Sequence, residues 1–202
     1  MRRHGGGRRE AVFRLARGLC LLLLLCAGAP ACPARAEPGG EVPDRYGLGL
    51  TAGHTVNPVS DIGFVMLTGT ALFDYEKVWR HPAPDPLRFK VEANVGGSVT
   101  PERDFIASAG MLALYFIDPL AGRGFKPYVE AGIGLIYTQH RVEDQGLHYN
   151  LNPQIGFGTE FSTADGATYY ASLRWHHLSN GGLDHQNSGV DSIVIVIGRY
   201  FW

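Results

Sequence analysis

From residue 45 onward, apolar residues alternate with small or polar ones in stretches of 10 to 14 residues, each closed by Gly, Pro, Asn or Asp. A period of two marks a strand whose two faces meet different surroundings, because successive side chains point to opposite sides of the pleat. Eight strands are predicted, at 45–54, 62–75, 87–99, 104–117, 126–138, 149–161, 167–177 and 191–202. Several carry Gly at every second position, as in Gly47-Leu48-Gly49-Leu50 and Gly132-Ile133-Gly134-Leu135. Small residues on one face and larger apolar ones on the other suit a curved sheet that closes on itself. No stretch after Ala36 holds 18 consecutive apolar residues, so no membrane-spanning helix is expected.

A lipocalin-like barrel and a β-sandwich would satisfy the same strand count in water. The end of the chain argues against both. Ile193 to Trp202 is strongly apolar and finishes Arg199-Tyr200-Phe201-Trp202, as outer-membrane barrels commonly do. Tyr46, Phe73, Tyr75, Phe116, Tyr128, Tyr137, Phe161, Tyr169, Tyr170 and Trp175 fall mostly near strand ends, where aromatic girdles meet the lipid headgroups. Lipid cannot satisfy an open sheet edge, so the sheet must close. The expected fold is all-β, an eight-stranded antiparallel up-and-down transmembrane β-barrel. Its connections 55–61, 100–103, 139–148 and 178–190 would face outside, and 76–86, 118–125 and 162–166 the periplasm. The stretch His81-Pro-Ala-Pro-Asp-Pro86 reads as stiff and extended.

The first 36 residues read differently. Arg2, Arg3, Arg8, Arg9, Arg14 and Arg17 precede an apolar run from Gly18 to Ala29, and Ala34-Arg35-Ala36 follows. That is the layout of a secretory signal peptide cut after Ala36, leaving 37–202 as the barrel. The run is too short for the ~20 residues of a spanning helix. The residues before Cys32 match a lipoprotein signal poorly. The whole chain has a net charge of −1 and a mean hydropathy of −0.04. Without residues 1–36 it holds 11 basic and 18 acidic residues and no cysteine. Nucleic acid is therefore not an expected partner, and neither disulfides nor thiol chemistry are available.

The polar residues that suggest chemistry are concentrated at the last hairpin: His176-His177-Leu178-Ser179-Asn180-Gly181-Gly182, then His185-Gln186-Asn187-Ser188-Gly189-Val190-Asp191. His177 and Ser179 are two apart, so on an extended strand both point the same way. A neutral imidazole there could take the serine proton, and a carboxylate is needed to orient it. Asp191 and Asp184 are the local candidates. Asn side chains or backbone N–H groups of the Gly-rich loop could hold an oxyanion. Ala171, Leu173, Trp175, His177 and Ser179 share one parity that is apolar until its outer end, which puts the pair on the lipid side of the wall. A nucleophile facing lipid suggests a lipid substrate.

His54, His140, His148, His176, His177 and His185 also gather at or near the outer end, but their spacings match no zinc signature, and no metal or other cofactor is expected. The polar loops are equally compatible with a non-catalytic structural or adhesive barrel, and the Ser–His pair with a phospholipase.

The His-x-Ser-Asn at 177–180, Asn-x-Gly at 187–189, the acid at 191 and the apolar strand ending in aromatics resemble the lipid A 3-O-deacylase (PagL) family. The resemblance implies an eight-stranded outer-membrane barrel that hydrolyses the 3-O-linked 3-hydroxyacyl chain of lipid A without a cofactor. It implies Ser179 as nucleophile, His177 as general base and Asp191 as orienting acid. Asn187 would stand at the oxyanion hole, with donors around Asn180 and Gly182. The family's acid is typically Glu, and Asp191 is shorter by about 1.5 Å, one C–C bond. Parity poses a further question: if Trp202 points to lipid, Ser192, Val194 and Val196 share its face and Asp191 does not, so a bulge or turn at Asp191 is expected. The resemblance leaves homo-oligomerisation open.

Overall fold

The computed structural model describes residues 43–58, 61–141 and 145–201; the expected signal peptide and Trp202 lie outside them. The eight strands are β1 (Arg45–Asn57), β2 (Gly63–Asp74), β3 (Leu87–Thr100), β4 (Phe105–Phe116), β5 (Phe125–Thr138), β6 (Tyr149–Ser162), β7 (Thr168–Leu178) and β8 (Val190–Phe201). Each pairs antiparallel with its chain neighbour, and β1 pairs with β8 to close the barrel. The connection after β2 opens with a short helix α1 (Tyr75–Trp79), which the strand pattern does not predict and which precedes the His81–Pro86 stretch. Asp74 caps it by accepting from the Glu76 N–H at 3.0 Å.

The alternation sorts residues as a barrel requires. On β7, Ser172, Arg174 and His176 are buried in the lumen while Leu173 and Trp175 are exposed outside. On β8, Ser192, Val194, Val196 and Tyr200 point inward, and Ile193, Ile195 and Phe201 outward. Phe116, Tyr128 and Tyr170 are not girdle residues as expected: they fill the lumen at 1–2% exposure. Glycines on the same inner face make the room. A side chain at Gly158 would collide with the Tyr128 ring, and one at Gly198 with Tyr170. Tyr46, Phe161 and Trp175 do stand exposed on the outer wall, as do Phe105, Phe125 and Tyr149.

Much of the lumen is filled, and a cavity lined by Phe64, Met66, Ile106, Ile136 and His176 lies toward the rim that carries the last hairpin. Near one rim, Tyr128, Tyr170 and Tyr200 pack with Leu72, Leu114 and Phe116. Across the middle runs a buried charge layer. Arg174 makes a bidentate pair with Glu92 (2.6 and 2.8 Å) and donates through Nε to Glu130 (2.6 Å), while Lys90 bonds Glu130 and lies 3.3 Å from Glu92. Two cations thus face two carboxylates, which lets all four be dehydrated together.

Candidate active site on the outer wall

His177 lies directly opposite Asp191 in the β7–β8 register, both on the outward face. Its Nδ1 is 2.7 Å from Asp191 Oδ1. No bulge at Asp191 is needed. The inward set of β8 is Ser192, Val194 and Val196, so Asp191 belongs to the outward set with Ile193 and Ile195. The bulge is on the other neighbour: the β1–β8 register shifts between Thr55 and Asn57, which brings Asn57 rather than Val56 opposite Asp191. Asn57 Nδ2 then donates to Asp191 Oδ2 at 3.1 Å. Both carboxylate oxygens are engaged, and the plane of the acid is set from two strands. Asp184, the other candidate acid, is held in its own loop, accepting from the Gln186 N–H at 2.8 Å.

Ser179 sits two residues beyond His177. Its N–H and C=O both bond Leu151 on β6, at 3.0 and 2.7 Å. The β6–β7 ladder reaches Gln154–His176 and resumes at Leu151–Ser179. Pro153, which has no N–H to donate, stands in the gap. Ser179 is therefore fixed through its main chain. Its hydroxyl makes no hydrogen bond to His177 in this structure; such bonds often tighten only around substrate.

The loop between Ser179 and Asp191 is tied down at several points. Asn180, 1% exposed, donates from Nδ2 to the Gln186 carbonyl (3.0 Å) and accepts the Gly182 N–H (2.9 Å). Both expected donors, Asn180 and Gly182, are thus engaged within the loop. Asn187 accepts the Asn180 N–H through Oδ1 at 2.8 Å, which leaves its Nδ2 as a donor, unpaired among the described residues. Gly181 and Gly182 hold φ of +66° and +82°, two successive left-handed residues that side chains rarely tolerate. Gly189, at φ +74°, packs under the imidazole, where a Cβ would stand 2.9 Å from His177 Cε1.

The histidines disperse. His54 bonds Thr55 O and Asp61, His140 lies by Asp104, His148 bonds Thr138 O, and His176 points into the lumen. Among the described residues no group of three or more His, Cys, Asp or Glu is placed to hold a metal ion.

Two site residues escaped the sequence. Asn57 is 134 positions from Asp191, and Gln145, buried at 4%, reaches Asn187 from the β5–β6 connection. No local spacing could announce either: Asn57 meets Asp191 because β1 pairs with β8, and Gln145 meets Asn187 because the β5–β6 and β7–β8 connections bridge.

Fold and geometry define a membrane-type eight-stranded barrel that carries a hydrogen-bonded His–Asp pair and a neighbouring serine on its outer wall, not in its lumen. The sequence profile of the lipid A 3-O-deacylase (PagL) family matches residues 67–199, and the chain belongs to that family. It is 38% identical over 80 residues to the lipid A deacylase PagL of Pseudomonas aeruginosa, a stretch covering 38% of this chain and 44% of that relative. The crystal structure of the outer-membrane enzyme PagL superposes with a TM-score of 0.55 at 25% identity, covering 75% of this chain and 97% of that one. Neisserial surface protein A shares the fold, with a TM-score of 0.58 at 14% identity over 78% of this chain and 95% of its own.

Proposed function

We propose that the protein is an outer-membrane serine esterase that removes the 3-O-linked 3-hydroxyacyl chain of lipid A. The observation that carries this reading is the His177–Asp191 bond of 2.7 Å on the lipid-facing wall, two residues from Ser179. The rim bearing this site faces outward, at the level of the outer leaflet. There Leu151, Ile155, Trp175 and Ile193, all exposed, form an apolar path for an acyl chain beside Ser179.

Ser179 Oγ attacks the ester carbonyl while His177 Nε2 takes its proton. Asp191 holds Nδ1–H and stabilises the imidazolium. Asn187 Nδ2 donates to the oxyanion. Collapse expels the sugar oxygen, which the imidazolium protonates. Water, deprotonated by His177, then releases the 3-hydroxy fatty acid and restores Ser179. An N-terminal signal over residues 1–36 accounts for export.

The test is the lipid A mass of Gram-negative cells expressing the protein. Loss of one 3-hydroxyacyl group is expected; unchanged lipid A, with fatty acid released from glycerophospholipids instead, would make the protein a phospholipase.

Asp191→Asn is expected to lower turnover by about 10⁴-fold, because an amide leaves the imidazole in the wrong tautomer. Asp184→Asn should remain within about threefold of wild type, as expected for a group outside the site. Equal losses in the two would refute the assignment of the acid. Gly189→Ala is expected to cost about tenfold in turnover, since the left-handed backbone penalises a Cβ by roughly 1–2 kcal/mol and the methyl presses on the imidazole. Wild-type turnover of that variant would mean the glycine does not seat His177.

A further inference from the structure

We infer that Gln145 is a positioning residue, which sets the oxyanion donor Asn187 and the support under His177 from the neighbouring connection. The inference rests on the proposed esterase reading and adds to it a residue 42 positions away from Asn187.

Gln145 comes from the β5–β6 connection, yet it is 4% exposed, and all its side-chain bonds are internal. Its Oε1 accepts the Gly189 N–H at 3.2 Å. One Nε2 hydrogen goes to Asn150 Oδ1, and the other is directed at Asn187 Oδ1, 3.5 Å away. Backbone donors decide both amide orientations. Gly189 N–H can meet only the oxygen of Gln145, and Asn180 N–H only the oxygen of Asn187. With its oxygen held by two donors, Asn187 has no choice but to offer Nδ2, the group that an oxyanion requires.

The same side chain also fixes Gly189, where a Cβ would stand 2.9 Å from His177 Cε1. A main-chain bridge between Gln145 and Asn187, and a bond from Gly146 N–H to Gln186 O at 2.8 Å, draw the two connections together. Pre-set donors act without reorganising during the reaction, and a misplaced one is felt in kcat rather than in binding.

Kinetics on purified lipid A test this with Gln145→Met, Gln145→Glu, Asn187→Ala and the double variant Gln145→Met/Asn187→Ala. Each rate is normalised to the folded fraction, read from the gel shift between unheated and boiled samples. Gln145→Met is expected to lower kcat by roughly 10- to 100-fold with KM within about twofold. Gln145→Glu keeps the acceptor for Gly189 but sets an oxygen against Asn187 Oδ1, so its loss should be at least as large. It also carries the test if the methionine variant fails to assemble. The double variant should be slower than Asn187→Ala by a smaller factor than Gln145→Met is slower than wild type, because part of what Gln145 does runs through Asn187. Wild-type kcat in either folded Gln145 variant, or losses that multiply in the double variant, would overturn the inference while leaving the esterase reading standing. Wild-type activity in Asn187→Ala would instead remove the oxyanion assignment, and this inference with it.

Discussion

Ser179→Ala is expected to reduce release of 3-hydroxy fatty acid from lipid A by at least about 10⁴-fold, with the barrel intact. The size follows from how the parts act as a unit: without Oγ no acyl-enzyme forms, and His177 and Asp191 have no nucleophile to activate. What remains is the oxyanion donor and the positioned substrate. Such residues alone support only a small fraction of the rate. Assembly should not suffer, because Ser179 is held by its N–H and C=O to Leu151 and not by its hydroxyl. The measurement is fatty-acid release by mass spectrometry, beside the gel shift that reports folded barrel. A folded Ser179→Ala protein retaining more than about a tenth of the activity would exclude a serine nucleophile, since triad serines carry far more of the rate than that.

Arg174→Ala should have the largest effect on stability. The guanidinium is 3% exposed and holds Glu92 through two bonds and Glu130 through a third. Its removal leaves two buried carboxylates sharing Lys90. Breaking a buried pair in this way costs about 3–5 kcal/mol, because the remaining charge has no solvent to turn to. In urea titrations into detergent or lipid, the folded band should disappear at clearly lower denaturant than wild type. Arg174→Met combined with Glu92→Gln leaves one cation facing one carboxylate, Lys90 and Glu130, and should recover much of the loss. If the double variant is no better than Arg174→Ala, charge balance is not what the layer provides.

The strands were legible because a barrel wall imposes a period of two along every strand, and that period survives in the sequence without its context. The expected 87–99, 149–161 and 167–177 differ from the observed strands by only a residue or so at either end. The facing of β7 was legible for the same reason, and with it the outward placement of His177 and Ser179. Aromatic position misled. Phe116, Tyr128 and Tyr170 stand near strand ends as girdle residues do, but parity turns them inward, where glycines on neighbouring strands leave space. The helix α1 was not anticipated in the connection after β2, because a single turn capped by Asp74 leaves almost no periodic signal.

The choice of acid shows the same division. Spacing left Asp184 and Asp191 open, and an assumed outward Trp202 made Asp191 look misplaced. In the closed barrel β7 and β8 pair with His177 opposite Asp191, while Asp184 turns into its own loop. By itself the sequence determined the number of strands, which face of β7 meets lipid, and the hairpin that carries His177, Ser179 and Asp191. These follow from local alternation and from residues close along the chain. Only the tertiary structure decided that Asn57 braces Asp191, that Gln145 holds Asn187, and that Arg174 joins Glu92 to Glu130. The partners in these contacts are 134, 42, 82 and 44 positions apart. They become neighbours through strand register, a bulge in β1 and closure of the sheet, and none of these leaves a pattern within any one segment.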